Sequence, residues 1–292
     1  MVRDETSRDW LAVDCRGTKV ELDKKNVPRP EFVSFGYGSG CIFATKDSVF
    51  YPVEENPRPA GMTYSEGEIR YIAPHIGDIS ALVGTSESFV TIEGDGGYLC
   101  NYGDSYRKRK ESGGEPSADQ YGPYFLKSCT SRDLPRSADD DTLDRSQFKY
   151  VVSTFNRGLI VLTRTPTRWH MYNVSFDYDE TAKKDRVMIE EVTAFPPGKE
   201  VTAIADGTGD DVFVAFKDEG IRKYSCYPDE EGYQVKEDEQ FHVNSRGALQ
   251  SDVSSMVVGN DGTASALYAT TGEDRIYRFS LEGIPVFIVK KM

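Results

Sequence analysis

The feature of this sequence that most constrains its fold is a repeated pattern of short strands. Each copy has an alternating apolar strand, a glycine-rich or polar turn, a second apolar strand, a charged turn and an aromatic-rich strand, and the copies span residues 32–53, 79–104, 148–174, 201–227 and 253–280. The copies start 47, 69, 53 and 52 residues apart. Three of these steps match one four-stranded propeller blade with its loops. Because each blade packs only against its neighbours, the repeat predicts a β-propeller, whereas a pair of β-sandwiches would not explain a constant step.

The strands within the copies show a period of two. Alternate positions carry β-branched or aromatic residues, for example Val212, Val214 and Phe216. No copy carries a sustained apolar stripe with a period of 3.6 residues, so we expect an all-β protein with little helix.

Further strands are predicted near both termini, at residues 10–13, 18–22 and 284–289. If these strands share one blade, the two termini close the ring and remove its exposed edges. We therefore predict one propeller domain over residues 1–292, with six blades. Seven blades are the alternative, because the N-terminal segment could hold most of a blade by itself.

The second copy carries the residues that suggest a family. It contains a glycine turn at residues 83–89, an Asp95-Gly96-Gly97-Tyr98 segment and a Tyr102-Gly103-Asp104 ending. These segments resemble the Gly-x-x-His turn and the "DG-x-aromatic … Trp-Gly" ending of the regulator-of-chromosome-condensation family, with serine and tyrosine in place of the family's histidine and tryptophan. The other copies keep an aromatic residue near their ends and a glycine in the first turn, at Gly36, Gly158, Gly207 and Gly259.

This resemblance implies protein–protein contacts on the faces of a ring. Some members of the family exchange nucleotide on a small GTPase, and some small members are accessory subunits in tRNA and diphthamide modification. WD-repeat propellers share the strand pattern, but the sequence contains no Gly-His or Trp-Asp pair.

The charge balance restricts the class of partner. The chain has 48 acidic and 35 basic residues and a net charge of -13. Its summed field repels a phosphate backbone, so we predict no nucleic-acid partner. A basic protein partner fits better, although the acidity could also serve only solubility. No apolar run is long enough to cross a bilayer, so we predict no membrane contact.

The cysteines and the N-terminus suggest a compartment. Five dispersed cysteines without a CxxC pair are typical of reduced thiols, and no zinc knuckle is indicated. The first ten residues have no apolar core of the kind found in signal peptides. We therefore expect a cytoplasmic or nuclear protein.

The most unusual segment is a polar insertion at residues 105–147. A loop of this length is usually either functional or a solvated segment without a partner, and both interpretations stay open. In the functional interpretation, its charges steer a partner and its apolar residues anchor it. The candidate partner-binding residues are Arg107, Lys108, Arg109, Lys110, Tyr121, Tyr124, Phe125 and Leu126. The basic tetrad could also be a nuclear localisation signal.

Several enzymatic and metal-binding patterns were weighed against simpler interpretations. The acidic turns at residues 93–96 and 206–211 could suggest calcium, but they lack EF-hand spacing, and tight hairpins need the same residues. Residues 175–179 and 221–224 resemble segments of six-bladed gluconolactonase-type lactonases, yet the Pro-Asn-Gly segments that carry the metal ligands in that family are missing. Residues 36–40 have glycines at the wrong offsets for a nucleophile elbow.

The remaining polar residues favour structural roles. His75, His170 and His242 lie in different copies or loops, and each is expected to be a surface or satisfied strand-end residue. The acidic clusters at residues 229–231 and 237–239, expected in one loop between blades, could bind a basic partner or form a solvated hairpin.

Together these observations favour a non-enzymatic scaffold, a monomeric propeller within a larger complex, with no cofactor, metal site or catalytic residue predicted. Exchange on a GTPase and an accessory role in tRNA or diphthamide modification are narrower forms of this hypothesis. A metal-dependent lactonase-like hydrolase is the alternative.

Overall fold

A computed structural model gives the fold. It describes residues 2–3, 10–13, 19–20, 31–35, 41–46, 49–52, 69–72, 78–84, 89–94, 98–102, 127–129, 147–153, 159–179, 184–230, 232–243, 249, 251–260, 264–272, 275–283 and 285–290. Within these ranges, no helix has the length and apolar character needed to cross a membrane.

The described residues form 23 β-strands. The first eleven are β1 (Val2–Arg3), β2 (Trp10–Val13), β3 (Lys19–Val20), β4 (Phe32–Phe35), β5 (Cys41–Ala44), β6 (Val49–Pro52), β7 (Ile69–Ile72), β8 (Ile79–Gly84), β9 (Phe89–Glu93), β10 (Tyr98–Tyr102) and β11 (Lys127–Cys129). The other twelve are β12 (Gln147–Ser153), β13 (Leu159–Arg164), β14 (Trp169–Asp179), β15 (Lys184–Ala194), β16 (Val201–Asp206), β17 (Asp211–Phe216), β18 (Gly220–Asp229), β19 (Gly232–Val243), β20 (Val253–Asn260), β21 (Ser265–Thr271), β22 (Arg275–Phe279) and β23 (Pro285–Lys290).

The strands form antiparallel sheets in which each strand pairs with its neighbours in sequence. The first sheet has three strands, β1–β3, and each of the other five has four: β4–β7, β8–β11, β12–β15, β16–β19 and β20–β23. The chain divides into two compact units, Met1–Thr130 and Ser131–Met292. The first unit holds β1–β11 and the second holds β12–β23, so the predicted all-β class is confirmed.

In the second unit, the first strands of consecutive sheets are neighbours: β12 contacts β16, and β16 contacts β20. The Tyr150 hydroxyl on β12 donates a hydrogen bond to the Thr202 carbonyl oxygen on β16, at 3.0 Å. In the first unit, β4 contacts β8 in the same way, and the Gly84 amide donates to Ser34 Oγ at 2.8 Å. In both units, neighbouring four-stranded sheets are therefore joined at their first strands.

Two apolar layers lie between the sheets of the second unit. One packs β12–β15 against β16–β19 and includes Leu162, Trp169 and Phe216. The other packs β16–β19 against β20–β23 and includes Phe213 and Tyr277. Each sheet therefore buries a face against its neighbour, as the repeat requires.

The repeat predicted where these sheets begin. The five sequence copies start at residues 32, 79, 148, 201 and 253, and the first strands of the five four-stranded sheets begin at Phe32, Ile79, Gln147, Val201 and Val253. Period-two alternation located these strands correctly because one face of each is buried.

Two predictions made at the ends of the copies need revision. The proposed insertion at residues 105–147 contains β11, the fourth strand of the second four-stranded sheet, in which Cys100 pairs with Ser128. A three-residue strand carries too little alternation to be recognised in a polar segment. The last strand, β23, pairs with β22 and completes the sheet of β20–β22. The blade number and the closure of the ring stay predictions, and so does the single domain.

The outer strand β19 is interrupted by a bulge. Arg222 of β18 pairs with His242, but Tyr224 pairs with Glu237, so residues 238–241 bulge out of the ladder. The Asp238 carboxylate accepts hydrogen bonds from the amides of Gln240 and Phe241, at 3.0 and 3.3 Å. The bulge turns Phe241 into the apolar layer shared with β20–β23, where its side chain is buried.

Candidate partner-binding surface

The partner-binding residues predicted from sequence cannot be placed in this fold. All eight, Arg107, Lys108, Arg109, Lys110, Tyr121, Tyr124, Phe125 and Leu126, lie outside the described residues. Their role therefore stays a prediction. A candidate site in this structure consists of described residues only.

One end of the second unit collects two hairpin turns within its sheets and two segments that lead from one sheet to the next. We call this the turn surface and define it as residues 164–168, 195–200, 217–219 and 251–252. Its first turn is closed by the Thr165 amide, which donates to the Arg168 carbonyl oxygen at 2.9 Å. The Arg168 amide donates in turn to Thr165 Oγ1, at 3.1 Å. A threonine that bonds to the backbone three residues later stabilises such a turn, so this backbone is held in place.

Arg164 bridges two sheets at the turn surface. It ends β13, and its guanidinium lies 3.2 Å from a carboxylate oxygen of Glu200, which precedes β16. The guanidinium also lies over the Trp169 ring, 5.8 Å from its centroid. Arginine is well suited to this position because its planar group can stack on an aromatic ring and pair with a carboxylate.

Lys199 forms a second pair beside the first. Its ammonium group pairs with the Glu219 carboxylate and lies 5.3 Å from the centroid of the Phe216 ring. The Lys217 amide donates to the Glu200 carbonyl oxygen at 2.8 Å, which fixes the two backbone segments together. The surface therefore presents two cations and two carboxylates from two neighbouring sheets.

Buried aromatic rings support these charges. Tyr150 stacks on Trp169 with centroids 5.7 Å apart, and Phe195 meets Phe216 edge to face at 5.1 Å. Burial and the nearby Glu200 carboxylate raise the pKa of Tyr150, opposed by Arg164, so its hydroxyl keeps the proton that it donates to Thr202. The two cations thus lie against the aromatic rings of a packed base.

The turn surface continues to the last sheet of the unit. The Asp218 amide donates to a carboxylate oxygen of Asp252, which precedes β20, at 2.8 Å. Asp218 has a φ of 62°, in the left-handed region that aspartate tolerates better than most residues. The hydrogen bond from the Asp218 amide to Asp252 therefore depends on a residue at position 218 that tolerates a positive φ.

We expect Arg164→Ala to change the free energy of unfolding by less than about 1 kcal/mol, because exposed ion pairs contribute little to stability. The two side chains are 52% and 39% exposed, so water and salt screen their attraction. Urea unfolding of the variant beside wild type measures the change. A loss of several kcal/mol would show instead that the pair holds the two sheets together.

The described histidines do not come together. His170, on β14, is buried, and its Nδ1 lies 3.0 Å from a carboxylate oxygen of Glu191 on β15. His242, near the end of β19, is exposed, and its Nε2 lies 3.4 Å from the Glu219 carbonyl oxygen. Each described histidine is satisfied locally, as predicted, and His75 lies outside the described residues.

The acidic turn at residues 206–211 is a tight hairpin between β16 and β17. The Gly207 amide donates to the Asp211 carbonyl oxygen at 2.6 Å. The Asp211 carboxylate accepts from Ser225 Oγ at 2.7 Å and lies 3.1 Å from Lys223 Nζ. Hydrogen bonding and ion pairing thus occupy this carboxylate, which accounts for the acidic residue without a metal.

The other calcium candidate, residues 93–96, is described only in part. Glu93 is buried and accepts a hydrogen bond from Thr91 Oγ1, and the Gly94 amide donates to the Asp78 carbonyl oxygen at 2.8 Å. Across the described ranges, no three His, Cys, Asp or Glu side chains converge in a way that could hold a metal ion.

The acidic clusters at residues 229–231 and 237–239 belong to one hairpin, β18–β19, and not to a loop between blades. Arg222 and Lys223 of β18 lie 3.5 and 3.8 Å from carboxylates of the second cluster. The expected loop between blades is wrong because dense charge is typical of a loop, whereas a hairpin, the other alternative for these residues, is what the described strands form.

The reactivity of Cys226 tests the packing between two sheets of the second unit. Its side chain is fully buried between β12–β15 and β16–β19, and burial together with Asp210 and Asp211 raises its pKa to about 12. Because the thiolate is the reactive form, we expect native Cys226 to resist iodoacetamide at pH 8 and to react once urea unfolds the chain. Peptide mapping by mass spectrometry measures this site separately from the other cysteines, and labelling of the native protein would contradict the packing.

The two segments that resemble lactonases lie on equivalent strands. Residues 175–179 end β14 and residues 221–224 lie in β18, the third strands of neighbouring sheets. The first segment lies at the end of its strand and the second near the start of its strand, so they do not occupy the same position in the repeat.

Comparison with known proteins supports the fold. The chain is similar to the solved structure of virginiamycin B lyase from Staphylococcus aureus, with a TM-score of 0.50, 12% identity, and coverage of 89% of this chain and 69% of that one. The fold is β-propeller-like. At this identity the similarity concerns the fold alone.

Two other solved structures are similar at lower scores. They are a luciferin-regenerating enzyme (TM-score 0.49, 10% identity, 89% of this chain and 76% of that one) and a surface component of the type-IX secretion system of Porphyromonas gingivalis (0.42, 10%, 89% and 28%). No protein-family model and no curated protein matches the sequence.

Proposed function

We propose that this protein is a non-enzymatic scaffold that binds a partner protein through the turn surface. The observation that carries the proposal is the pair of Arg164 with Glu200, which joins two sheets, beside the pair of Lys199 with Glu219, with both cations over buried aromatic rings. Charges fixed before binding lose little conformational entropy when a partner docks. Complementary charges also select the partner and orient it.

The net charge of -13 favours a partner with a basic surface. Exchange on a small GTPase and an accessory role in tRNA or diphthamide modification are narrower versions of this proposal, and each names a partner that can be tested directly. Purified protein that leaves nucleotide release unchanged on every GTPase tested would remove the first of them. The cytoplasmic or nuclear location stays a prediction.

We also infer that the six sheets are the blades of one ring, with β1–β3 as the incomplete blade. The support is the number of sheets and the step near 50 residues between copies. Averaged electron-microscope projections along the ring axis should show six radial sheets. Seven would favour the alternative.

The binding proposal is tested by affinity purification of the tagged protein from its own cells. We expect a stoichiometric partner with wild type and its loss with Arg164→Glu. The double variant Arg164→Glu/Glu200→Arg restores the internal ion pair with reversed surface charges. A partner that depends on the surface should be lost with both variants.

Two outcomes contradict the proposal. Recovery of the partner by the double variant would mean that the ion pair affects partner binding only because it stabilises the fold. Absence of any partner in all samples would favour the hydrolase alternative, for which a panel of lactones with added divalent metals is the next measurement. A matched control, Lys236→Glu on the exposed outer strand, should retain the partner.

A further inference from the structure

Two outer hairpins of the second unit project beyond the strands that support them, at the end of the sheets opposite to the turn surface. Strand β13 pairs with β14 only as far as Val174, whereas β14 and β15 stay paired from Ser175 with Met188 to Asp179 with Lys184. This first ribbon extends about 17 Å beyond its support, at 3.4 Å per residue. The second ribbon runs from Cys226 with Val235 to Asp229 with Gly232.

The projecting part of β14 has an edge that no described strand occupies. Two hydrogen bonds at the start of β14 show which of its residues direct their backbone groups toward each neighbouring strand. The Thr165 amide donates to the Arg168 carbonyl oxygen, and the Phe195 amide donates to the Trp169 carbonyl oxygen, both at 2.9 Å. Even-numbered residues of β14 therefore direct their backbone groups toward the β13 side, and odd-numbered residues direct theirs toward β15.

This alternation continues along the ribbon, because the register shift after Met171 adds a residue to β15 and not to β14. Phe176 and Tyr178 consequently direct their amide and carbonyl groups toward the open edge. Such groups are a template for strand addition, in which an extended peptide supplies the missing ladder.

The second ribbon has an edge that is closed to strand addition. The Cys226 amide donates to the Asp210 carbonyl oxygen at 2.8 Å, so even-numbered residues of β18 point to the inner edge. Pro228 occupies an even position and has no amide hydrogen to donate. Proline on an edge strand blocks strand addition. The edge of β14 contains no proline in the corresponding stretch, residues 175–179, and no described residue pairs with it there.

Charge indicates which peptide the open edge accepts. An added strand lies about 4.8 Å from β14 and about twice that distance from β15. Asp177 and Asp179 on β14 would be its neighbours, whereas Arg186 and Lys184, in register with them, lie on the far strand. With a screening length of about 8 Å at physiological salt, acidic residues on the adjacent strand influence an added strand more than basic residues one strand farther away.

We propose that the edge of β14 at Phe176–Tyr178 binds an extended basic segment of a partner protein by adding it as a strand next to β14. This interaction goes beyond the proposed function, because it uses the other end of the sheets and none of the turn-surface residues. Its ladder hydrogen bonds supply affinity, and lysines or arginines at alternate positions of the segment supply selectivity.

The probe is a fluorescein-labelled ten-residue peptide of alternating lysine and threonine, followed by anisotropy with the full chain. We expect wild type to bind it, with affinity that falls as salt rises. An alternating glutamate–threonine peptide should not bind. The lysine peptide with N-methyl groups at alternate residues should bind at least tenfold more weakly, because it keeps its charge but lacks the amides that complete the ladder. Equal binding of the methylated and unmethylated peptides would overturn strand addition.

Variants of the chain locate the site. Tyr178→Pro removes one outward amide without taking a bond from β15, and we expect about tenfold weaker binding. Tyr178→Val keeps the amide and should bind like wild type. Pro228→Thr opens the second edge and should raise the stoichiometry to two peptides per chain.

Three further results would overturn the proposal: no binding to wild type, equal binding to Tyr178→Pro, or a dimer of the chain that Tyr178→Pro dissolves, since the edge would then be occupied by a second copy. The methylated peptide keeps the test decisive if Tyr178→Pro fails to fold. Arg164→Glu should bind the peptide normally, which separates this site from the turn surface.

Discussion

Replacing Phe241 by alanine should lower the free energy of unfolding of the second unit by about 3–5 kcal/mol, the usual cost of deleting a buried phenylalanine. Phe241 is only 1% exposed, and its ring lies 5.1 Å from that of Phe213 in the layer between β16–β19 and β20–β23. Its removal leaves a cavity between two sheets. The bulge that carries Phe241 is fixed by Asp238, so the backbone cannot easily close the space.

Urea unfolding followed by Trp169 fluorescence measures this loss, because Trp169 is buried in the same unit. The chain has 2 tryptophans, so a Trp10→Phe background isolates the signal. Val257→Ala is the matched control: Val257 is 56% exposed, and its truncation should change the free energy by less than about 0.5 kcal/mol. Equal effects of the two substitutions would show that Phe241 is not part of the core.

Gly207→Ala should destabilise the β16–β17 hairpin by about 2–3 kcal/mol, the upper part of the range for overpacking. A Cβ at Gly207 would lie 2.6 Å from Asp211 Cβ and 2.7 Å from the Asp211 carbonyl oxygen. That oxygen accepts the hydrogen bond of the Gly207 amide, so any movement that relieves the clash also disturbs the turn. The Asp211 carboxylate, held by Ser225 and Lys223, resists the same movement.

Gly272→Ala is the control for the glycine series, because a Cβ at Gly272 would meet no atom within 4 Å. It should be neutral or slightly stabilising, since alanine reduces the entropy of the unfolded chain. Urea unfolding of both variants gives the comparison, and hydrogen exchange locates the loss in the hairpin. If Gly207→Ala is as stable as Gly272→Ala, the turn at residues 206–211 does not have the geometry described.

The candidate site was harder to predict than the strands. The sequence predicts partner binding in the insertion because a basic tetrad and an aromatic patch are dense local signals. Arg164, Lys199, Glu200 and Glu219 are single charges at the ends of strands, and such residues are found in most turns. Their pairing depends on which sheets are neighbours. All four residues lie at turns that follow the second or fourth strand of a sheet. Once the strands are numbered within each sheet, these turns are expected at the same end.

The open edge of β14 was hard to predict for the same reason. Residues 175–179 attracted attention as a possible lactonase segment, and nothing local distinguished them from residues 226–229 except Pro228. The length of each hairpin beyond its supporting strand decides which edge is open. That length is set by where β13 and β17 begin, at Leu159 and Asp211, and so by which residues of the neighbouring strand they pair with.

The all-β class, the spacing of the sheets and the first strand of each follow from the amino-acid pattern alone, because period-two alternation directly reflects burial of one face. Tertiary structure alone decided that β11 lies inside the insertion, that β23 completes the sheet of β20–β22, and that Phe241 leaves its ladder to enter the core. These features depend on hydrogen-bond partners and packing volumes supplied by other strands. A local pattern records how a segment alternates, but not which segment pairs with it or how much space remains beside it.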